Sequence, residues 1–408
     1  MRPLRVVYIH LIGAFGGASR SLFEVVRAFP AGAVEATFVT QRGSVLEFFS
    51  RLGRVIAARG LSKFDNTAYS YYRGLRWLVV LREIAYLPAT LLALVRARKL
   101  CRDVDIIHVN EFTGLAVLWL ARRWLRPRAA VVHVRSVART DASSWRTRWV
   151  DRMLRNEADA VVAIDENVRA SLPADLRVDV IHNAFAPTLA HTNDESISRR
   201  LGSLRPESFK VGFVGNLLAV KGIHELIEAA RLTRDAGHDL EFVVIGDDVR
   251  PSRGVRAAAL RILGLQQNVR AEVEAALDRH QLRGRVHIIG FTADIARVYQ
   301  SMDVLCFPSH YDAPGRPIFE AAFFGVPSIV AVREPRPDTL VHGVTGLAVA
   351  PRSADELARA IERLATDRAL TRRMGQAARE MAERNFDVTR NAAELLRLYR
   401  RVAGRSAP

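Results

Sequence analysis

Cysteine is almost absent from this chain of 408 residues, which has only Cys101 and Cys306. Both lie beside apolar runs and read as small buried core residues, so neither a disulfide framework nor a cysteine-based metal site is expected. Lysine is nearly as scarce: Lys63, Lys99, Lys210 and Lys221 are the only four among 60 basic residues. An arginine bias of that size reads as genomic composition, so no single arginine stands out for its type. Long apolar runs are missing too. RGLRWLVVL and IAYLPATLLALVRARKLCR, within 71–102, are interrupted by Arg82-Glu83 and Pro88 and read as surface or core helix rather than membrane span. Val6 to Ile12 is too short an apolar run, without cleavage-like context, to be a signal peptide. The expectation is a cytoplasmic protein.

The remainder is an ordinary globular composition, 49% hydrophobic and 25% charged, with length enough for two or three domains. The net charge of +17 favours polyanions or anionic membrane surfaces. It is uneven: residues 1–188 hold 28 basic and 16 acidic residues, the rest 32 and 27. All five tryptophans, Trp77, Trp119, Trp124, Trp145 and Trp149, share that more basic part. Aromatics beside arginines suit a lipid headgroup layer, at the inner face of the cell membrane; the rival reading, that they fill a core, stands nearly level. No recognition motif accompanies the charge, so nucleic acid is not an expected partner.

The most informative stretch runs from Asp303 to Val332, DVLCFPSHYDAPGRPIFEAAFFGVPSIVAV. Val304 to Phe307 suits a buried parallel strand, and a polar loop follows. Pro317 stands where a first helical residue belongs, and Gly325 and Pro327 stop the helix at Phe324. Ser328 to Val332 is a second buried strand. Asp312 in the loop and Glu320 in the first helical turn bracket the unit. A helix start with a Gly315 loop offers free N–H groups to a diphosphate, and a carboxylate accepts hydrogen bonds from paired sugar hydroxyls. On the local pattern alone this stands level with a plainer reading, in which Glu320 complements the helix dipole and Asp312 caps the turn.

The wording separates them. Asp312-x7-Glu320, with Gly315-Arg316-Pro317 inside and Gly325-Val326-Pro327 after it, resembles the donor-site signature of family 4 glycosyltransferases. That resemblance implies an α/β architecture of the GT-B type, two Rossmann-like domains facing across a cleft. It also implies that the first acid touches the donor sugar and the second the nucleotide ribose. The family usually shows Glu-x7-Glu, so Asp312 is shorter by one methylene and Glu320 carries over more safely. Lys210 to Val214, then Gly215-Asn216 and Lys221-Gly222, resembles the family's Gly-Arg-Leu…Lys-Gly segment, whose two cations grip the diphosphate. Lys221 matches, and Asn216 replaces the arginine.

At the other end, Leu4 to Ile9 reads as a strand, Gly16-Gly17 as a turn able to approach a phosphate, and Leu22, Val25, Val26 and Phe29 as one helix face. The family carries a histidine or arginine facing the donor sugar at the end of the strand matching 129–135. His133 or Arg135 fills that slot; the two alternate and should point to opposite faces, and Arg135 is nearer the strand end. His108 reads as structural. Asp103-Val104-Asp105 reads as strand-edge solvation rather than a metal site. Other strands are expected at 105–109, 160–164, 178–181, 241–246 and 286–290. The basic stretch 248–270 is too long for a simple turn; acceptor contact, partner contact and surface insertion all remain open.

The resulting division is an acceptor-side domain at 1–188, a linker at 189–206 from its polar text, and a donor domain at 207–387. The helix near 388–405 is expected back on the first domain. The resemblance implies a hexosyltransferase-type enzyme moving a sugar from a nucleotide-diphosphate sugar to a saccharide or lipid-linked acceptor, with retention, in envelope or exopolysaccharide synthesis. Neither metal nor other cofactor is expected, since Lys221, Gly315 and Arg316 meet the phosphates. A nucleotide-sugar epimerase of the same fold and a non-catalytic sugar-nucleotide binder are the alternatives; Asp312 and Asn216, as departures, favour the second.

Overall fold

The computed structural model describes residues 2–66, 76–139, 141, 144–187, 195–246, 269–292 and 294–404. It divides into two compact units, Met1–Ala186 with Phe386–Pro408, and Pro187–Asn385.

Among the described residues the first unit holds seven strands: β1 Leu4–His10, β2 Val34–Gln41, β3 Arg54–Ala58, β4 Ile106–Val109, β5 Ala129–Val134, β6 Ala160–Ala163 and β7 Asp179–Val180. They form one parallel sheet in the order β3-β2-β1-β4-β5-β6-β7. Runs such as AAVVHV are apolar on both faces because both faces are covered. Val7 and Ile9 enter a core with Val39, Ile107 and Val132, while Leu4, Val6 and Tyr8 enter the opposite one with Phe38 and Val131. Helix Gly17–Arg27 buries Leu22, Val25 and Val26 there, with Phe29 packed alongside. Helix Val388–Val402 joins the same core through Leu395, Leu396 and Tyr399, its first turn capped by Asp387, which accepts from the Arg390 N–H at 2.8 Å.

The second unit repeats the scheme with β8 Phe209–Val214, β9 Leu240–Ile245, β10 Val286–Gly290, β11 Val304–Phe307, β12 Ser328–Ala331 and β13 Gly346–Val349. These are parallel in the order β10-β9-β8-β11-β12-β13. Strand order reverses between β1 and β4 in one unit and between β8 and β11 in the other. Loops leaving adjacent strands at such a reversal diverge and open a crevice at the carboxyl edge, where ligands of open α/β sheets bind.

Four expectations change. Within the expected linker, Glu195–Gly202 is a helix, because Ile197, Leu201 and Leu204 share one side and pack with Tyr299 and Met302. The remainder of the described linker belongs to the second unit, and 188–194 and most of the basic stretch, 248–268, lie outside the described residues. The apolar runs within 71–102 become helices Arg76–Ala85 and Leu87–Leu100, joined at Tyr86 in helical conformation. Together Trp77–Leu100 is long and apolar enough, by length and composition, to cross a membrane. Pro88 does not break it, being in a first turn where no hydrogen bond is lost. Thr90, Ala93, Leu94 and Ala97 are nevertheless buried, the last three in the core of the first unit.

The fourth concerns Asp105, which is buried rather than solvated. It accepts the Arg5 backbone N–H at 2.9 Å and meets Arg2 at 3.2 Å and Arg128 at 3.4 Å, tying the starts of β1 and β5 to β4. The arginines are half-exposed and recover water if the acid is removed, whereas the Arg5 N–H does not. Asp105→Ala is therefore expected to cost about 1–3 kcal/mol, read as a lower urea midpoint; an unchanged midpoint would show that the anchor carries no stability.

Candidate functional site

In the second unit the loops after β8 and β11 meet. The turn Ala219–Lys221 ends at Gly222, with φ +78°. A Cβ at Gly222 would stand 1.9 Å from the Pro308 carbonyl oxygen, so only glycine lets the two loops close up. The His310 N–H donates to the Val220 carbonyl at 3.0 Å, and its Nε2 lies 2.8 Å from Glu225 Oε1. This closure leaves Lys221 half-buried. Its Nζ lies 5.6 Å from the Phe307 ring centroid and 5.5 Å from that of Tyr311, and no carboxylate pairs with it among the described residues. Burial pulls its pKa below the ordinary lysine value. Aromatic faces return part of the lost hydration; an anion would return the rest.

The predicted helix is Arg316–Phe323 with Gly315 as N-cap, so Arg316 precedes Pro317 as its first residue and Glu320, expected in the first turn, stands just beyond it. A Cβ at Gly315 would lie 2.3 Å from the Phe307 ring, which explains the glycine beside this strand end. Glu320 is buried, accepting from the Tyr299 hydroxyl at 2.9 Å on Oε2 and from Arg316 Nε on Oε1. Asp312, held at φ +51°, accepts the Arg333 N–H at 2.8 Å and pairs with the Arg333 guanidinium at 2.5 Å. Both acids of the signature are thus engaged by arginines of this chain. Asn216 is exposed.

In the first unit the predicted residues form one network at the β1/β4 reversal. Arg135 donates to Asn110 Oδ1 at 2.8 Å and Asn183 Oδ1 at 2.6 Å, with His133 Nδ1 at 3.3 Å. His133 and Arg135 therefore touch, against the expectation of opposite faces: two residues apart on an extended chain they share a face, and that expectation misapplied the alternation. Asn110 donates to the Ala18 carbonyl at 3.1 Å and contacts His10 Nδ1 at 2.9 Å, linking Arg135 to the Gly16-Gly17 turn, whose Gly16 N–H donates to Ser19 Oγ at 2.7 Å. His108 is structural, with Nδ1 2.6 Å from the Tyr399 hydroxyl.

Sequence reasoning missed His10, Asn110 and Glu111. The one available signal for Glu111 was its place just past β4. Burial raises its pKa to about 7, against hydrogen bonds from Ser136 and the Phe112 N–H and the Arg135 charge. Burial and then Arg135 lower His10 and His108 to about 3 and hold His133 well below its ordinary value. No group of three or more His, Cys, Asp or Glu placed to hold a metal occurs among the described residues.

Two parallel Rossmann-like sheets, each with its loops gathered at a strand-order reversal, are the parts of a GT-B protein. The solved structure of Anabaena HepE in complex with UDP and glucose shares this fold at TM-score 0.73 and 22% identity, covering 97% of this chain and 99% of that one. Sucrose-phosphate synthase from Thermosynechococcus elongatus does so at TM-score 0.72 and 21% identity, over 98% and 99%. The family description "Glycosyltransferase Family 4" matches residues 15–188, and "Glycosyl transferases group 1" matches 195–381. This chain belongs to the family 4 glycosyltransferases. It is 28% identical over 63% of its length to 2-deoxystreptamine glucosyltransferase of Streptomyces kanamyceticus, and 27% identical over 90% to D-inositol 3-phosphate glycosyltransferase of Rhodococcus erythropolis. The matched part spans 64% of the first relative and 84% of the second. For CapM of Staphylococcus aureus, at 26% identity over 48% of this chain, it spans 46%.

The buried histidines set a pH dependence. Their folded pKa values lie below the ordinary 6.5, so their stabilising contribution is full above that value and is lost as pH falls through it towards about 3. Glu111 acts oppositely: its contribution is full below about 4.5 and lost as pH rises through about 7. Between pH 5 and 6 unfolding should take up about two protons net, a slope of roughly 2.7 kcal/mol per pH unit. His133→Gln should reduce that by about one proton. Urea midpoints at pH 5, 6 and 7 measure it, and a flat profile would mean these histidines are not buried neutral.

Proposed function

We propose that this chain is a hexosyltransferase whose second unit binds a nucleotide-diphosphate sugar and whose first unit takes a saccharide or lipid-linked acceptor. The observation that carries this is Lys221, a half-buried cation beside two aromatic rings at the strand-order reversal, where a diphosphate supplies a countercharge. Support comes from the UDP and glucose held by HepE, and from the CapM name, a capsular polysaccharide biosynthesis glycosyltransferase. In the transfer, the bond from the anomeric carbon to the β-phosphate oxygen breaks and a bond to the acceptor oxygen forms. The acceptor's proton leaves with the diphosphate. Stabilising that leaving charge lowers the barrier, and Lys221 with the Gly315–Arg316 helix start does so without a cofactor. Retention, and a role in envelope or exopolysaccharide synthesis, are part of the proposal.

Glu320 and Asp312 favour one second reading, a sugar-nucleotide binder without transfer, because each is already engaged by an arginine. Turnover separates the two: donor binding without donor consumption, with acceptors present, would establish the binder. Lys221→Ala is expected to weaken UDP- or GDP-sugar binding 10- to 150-fold, about 1.5–3 kcal/mol. Glu320→Gln should weaken it with the fold intact, Asn216→Arg should leave it equal or tighter, and EDTA should leave transfer unchanged. Normal donor affinity in Lys221→Ala would place the phosphate site elsewhere.

We further propose attachment of the first unit to the inner face of the cell membrane, peripherally. Trp77, Val80, Leu81 and Ile84 form one helical stripe, each more than half exposed, and Trp145 is 72% exposed. Trp119 and Trp124 are also exposed, so only Trp149 among the five packs against the core, and the core-filling reading is set aside. Exposed Arg96, Arg98 and Arg123 accompany them. Arg73 lies outside the described residues. An apolar stripe outside and a buried face of Ala93, Leu94 and Ala97 suit a helix lying in the headgroup layer. The chain should sediment with anionic but not neutral vesicles, and high salt or Trp77→Ser with Leu81→Ser should release it. Equal partitioning with both vesicle types, or none, would refute attachment.

A further inference from the structure

His10, Asn110 and Arg135 stand at the carboxyl ends of the first unit's strands; at the amino ends of the same sheet lies a groove of about 230 Å³. Arg5 of β1, Glu35 and Thr37 of β2 and Arg54 of β3 line it, and Lys99 and Arg102 enter from the end of helix Leu87–Leu100 and the turn after it. Hydrogen bonds to backbone fix these walls. Arg54 donates to the Leu100 carbonyl at 2.8 Å, Arg5 to the Arg102 carbonyl at 3.1 Å, and the Cys101 N–H to the Ala97 carbonyl at 2.8 Å. Asp103, at φ +53°, turns the chain from that helix towards β4. Buried Val6 and Val104 form the floor. The concavity is thus set before any ligand arrives, at a size that suits one small polar group.

The groove is short of negative charge. Glu35 lies 3.4 Å from the Arg5 guanidinium and Asp103 3.5 Å from it, so the two acids beside the groove share one cation. Asp105, on the same edge, is met by Arg2 and Arg128. Among the described residues no carboxylate pairs with Arg54, Lys99 or Arg102, all three exposed, and the one partner of the Arg54 side chain is the neutral Leu100 carbonyl. Four cations therefore meet two acids around one space. The carboxyl end of the helix adds roughly half a negative charge, which is less than the surplus of two. A phosphate monoester, with about −1.5 to −2 at neutral pH, balances it. Its several oxygens also suit three cations on separate stems better than a single carboxylate would.

We propose that this amino-edge groove binds a phosphate monoester through Arg54, Lys99 and Arg102, as a site additional to the donor site of the second unit. Two sources carry that chemistry, a soluble phosphate and the headgroup of an anionic lipid, whose chain could rest on exposed Leu100 in the groove wall. Calorimetry on the full chain, with UDP present to occupy the donor site, separates them. Glycerol 3-phosphate is compared with glycerol, and dihexanoyl phosphatidic acid with dihexanoyl phosphatidylcholine, which has no net charge. Each phosphate monoester should bind about tenfold or more tightly than its counterpart. Phosphatidic acid binding more tightly than glycerol 3-phosphate marks a lipid source; equal affinity of the two marks a soluble one. Lys99→Gln with Arg102→Gln should weaken both probes about tenfold and leave UDP affinity unchanged. Arg372→Gln with Arg373→Gln, which removes the same charge from exposed positions of the second unit, should change neither. Absence of any preference for the phosphate monoesters, wild-type affinity in the first double variant, or an equal loss in the second would overturn the assignment.

Discussion

A lysine ammonium partly withdrawn from water loses hydration that neighbouring aromatic faces return only in part, and the second unit holds Lys221, half-buried, in that state. Much of the surrounding structure serves this burial. The reversal between β8 and β11 brings two loops to one place, and Gly222 lets them approach until its Cα nearly touches the Pro308 carbonyl. His310 then locks them through Val220 and Glu225. Aromatic walls rather than acids surround the cation, leaving it able to answer a ligand's negative charge instead of an internal one.

The two carboxylates of the same site are held differently. Glu320 and Asp312 have arginine partners four and twenty-one residues away, and Tyr299 adds a neutral donor to Glu320. A buried ion pair recovers its desolvation cost through geometry, so a ligand hydroxyl gains access to Glu320 by sharing it with Arg316 rather than by meeting a bare acid. The first unit solves the opposite problem: around Arg135 it places neutral imidazoles and amides, so the guanidinium is positioned without its charge being cancelled by them. Arg135 and burial together keep those histidines uncharged.

Much of this was written in the chain. Apolar runs of four to six residues marked most strands, and the spacing of Leu22, Val25 and Val26 marked a helix face that is indeed buried. Val34–Gln41 and Arg54–Ala58 escaped notice, since neither the polar ends of the first nor the brevity of the second separates them from loop text. Tryptophan was a poor guide in the other direction. Its usual burial argued for core, yet Trp77 stands on a stripe whose outward direction only the docking of the following helix through Ala93 and Ala97 decides.

By itself the sequence determined the parallel α/β architecture, the positions of Lys221, Gly315 and Glu320 on a strand-loop-helix unit, and the family to which the chain belongs, because these depend on local spacing and short-range sterics. Tertiary structure alone decided which charges meet. Arg333 reaches Asp312 because β12 pairs beside β11, Asn110 and Asn183 reach Arg135 because β4, β5 and β7 end at one edge, and Arg139 and Arg146 share a cavity because a helix folds over that edge. Side-chain ion pairs and cavities depend on distances of a few ångströms between residues far apart in the chain, and no local pattern carries that information.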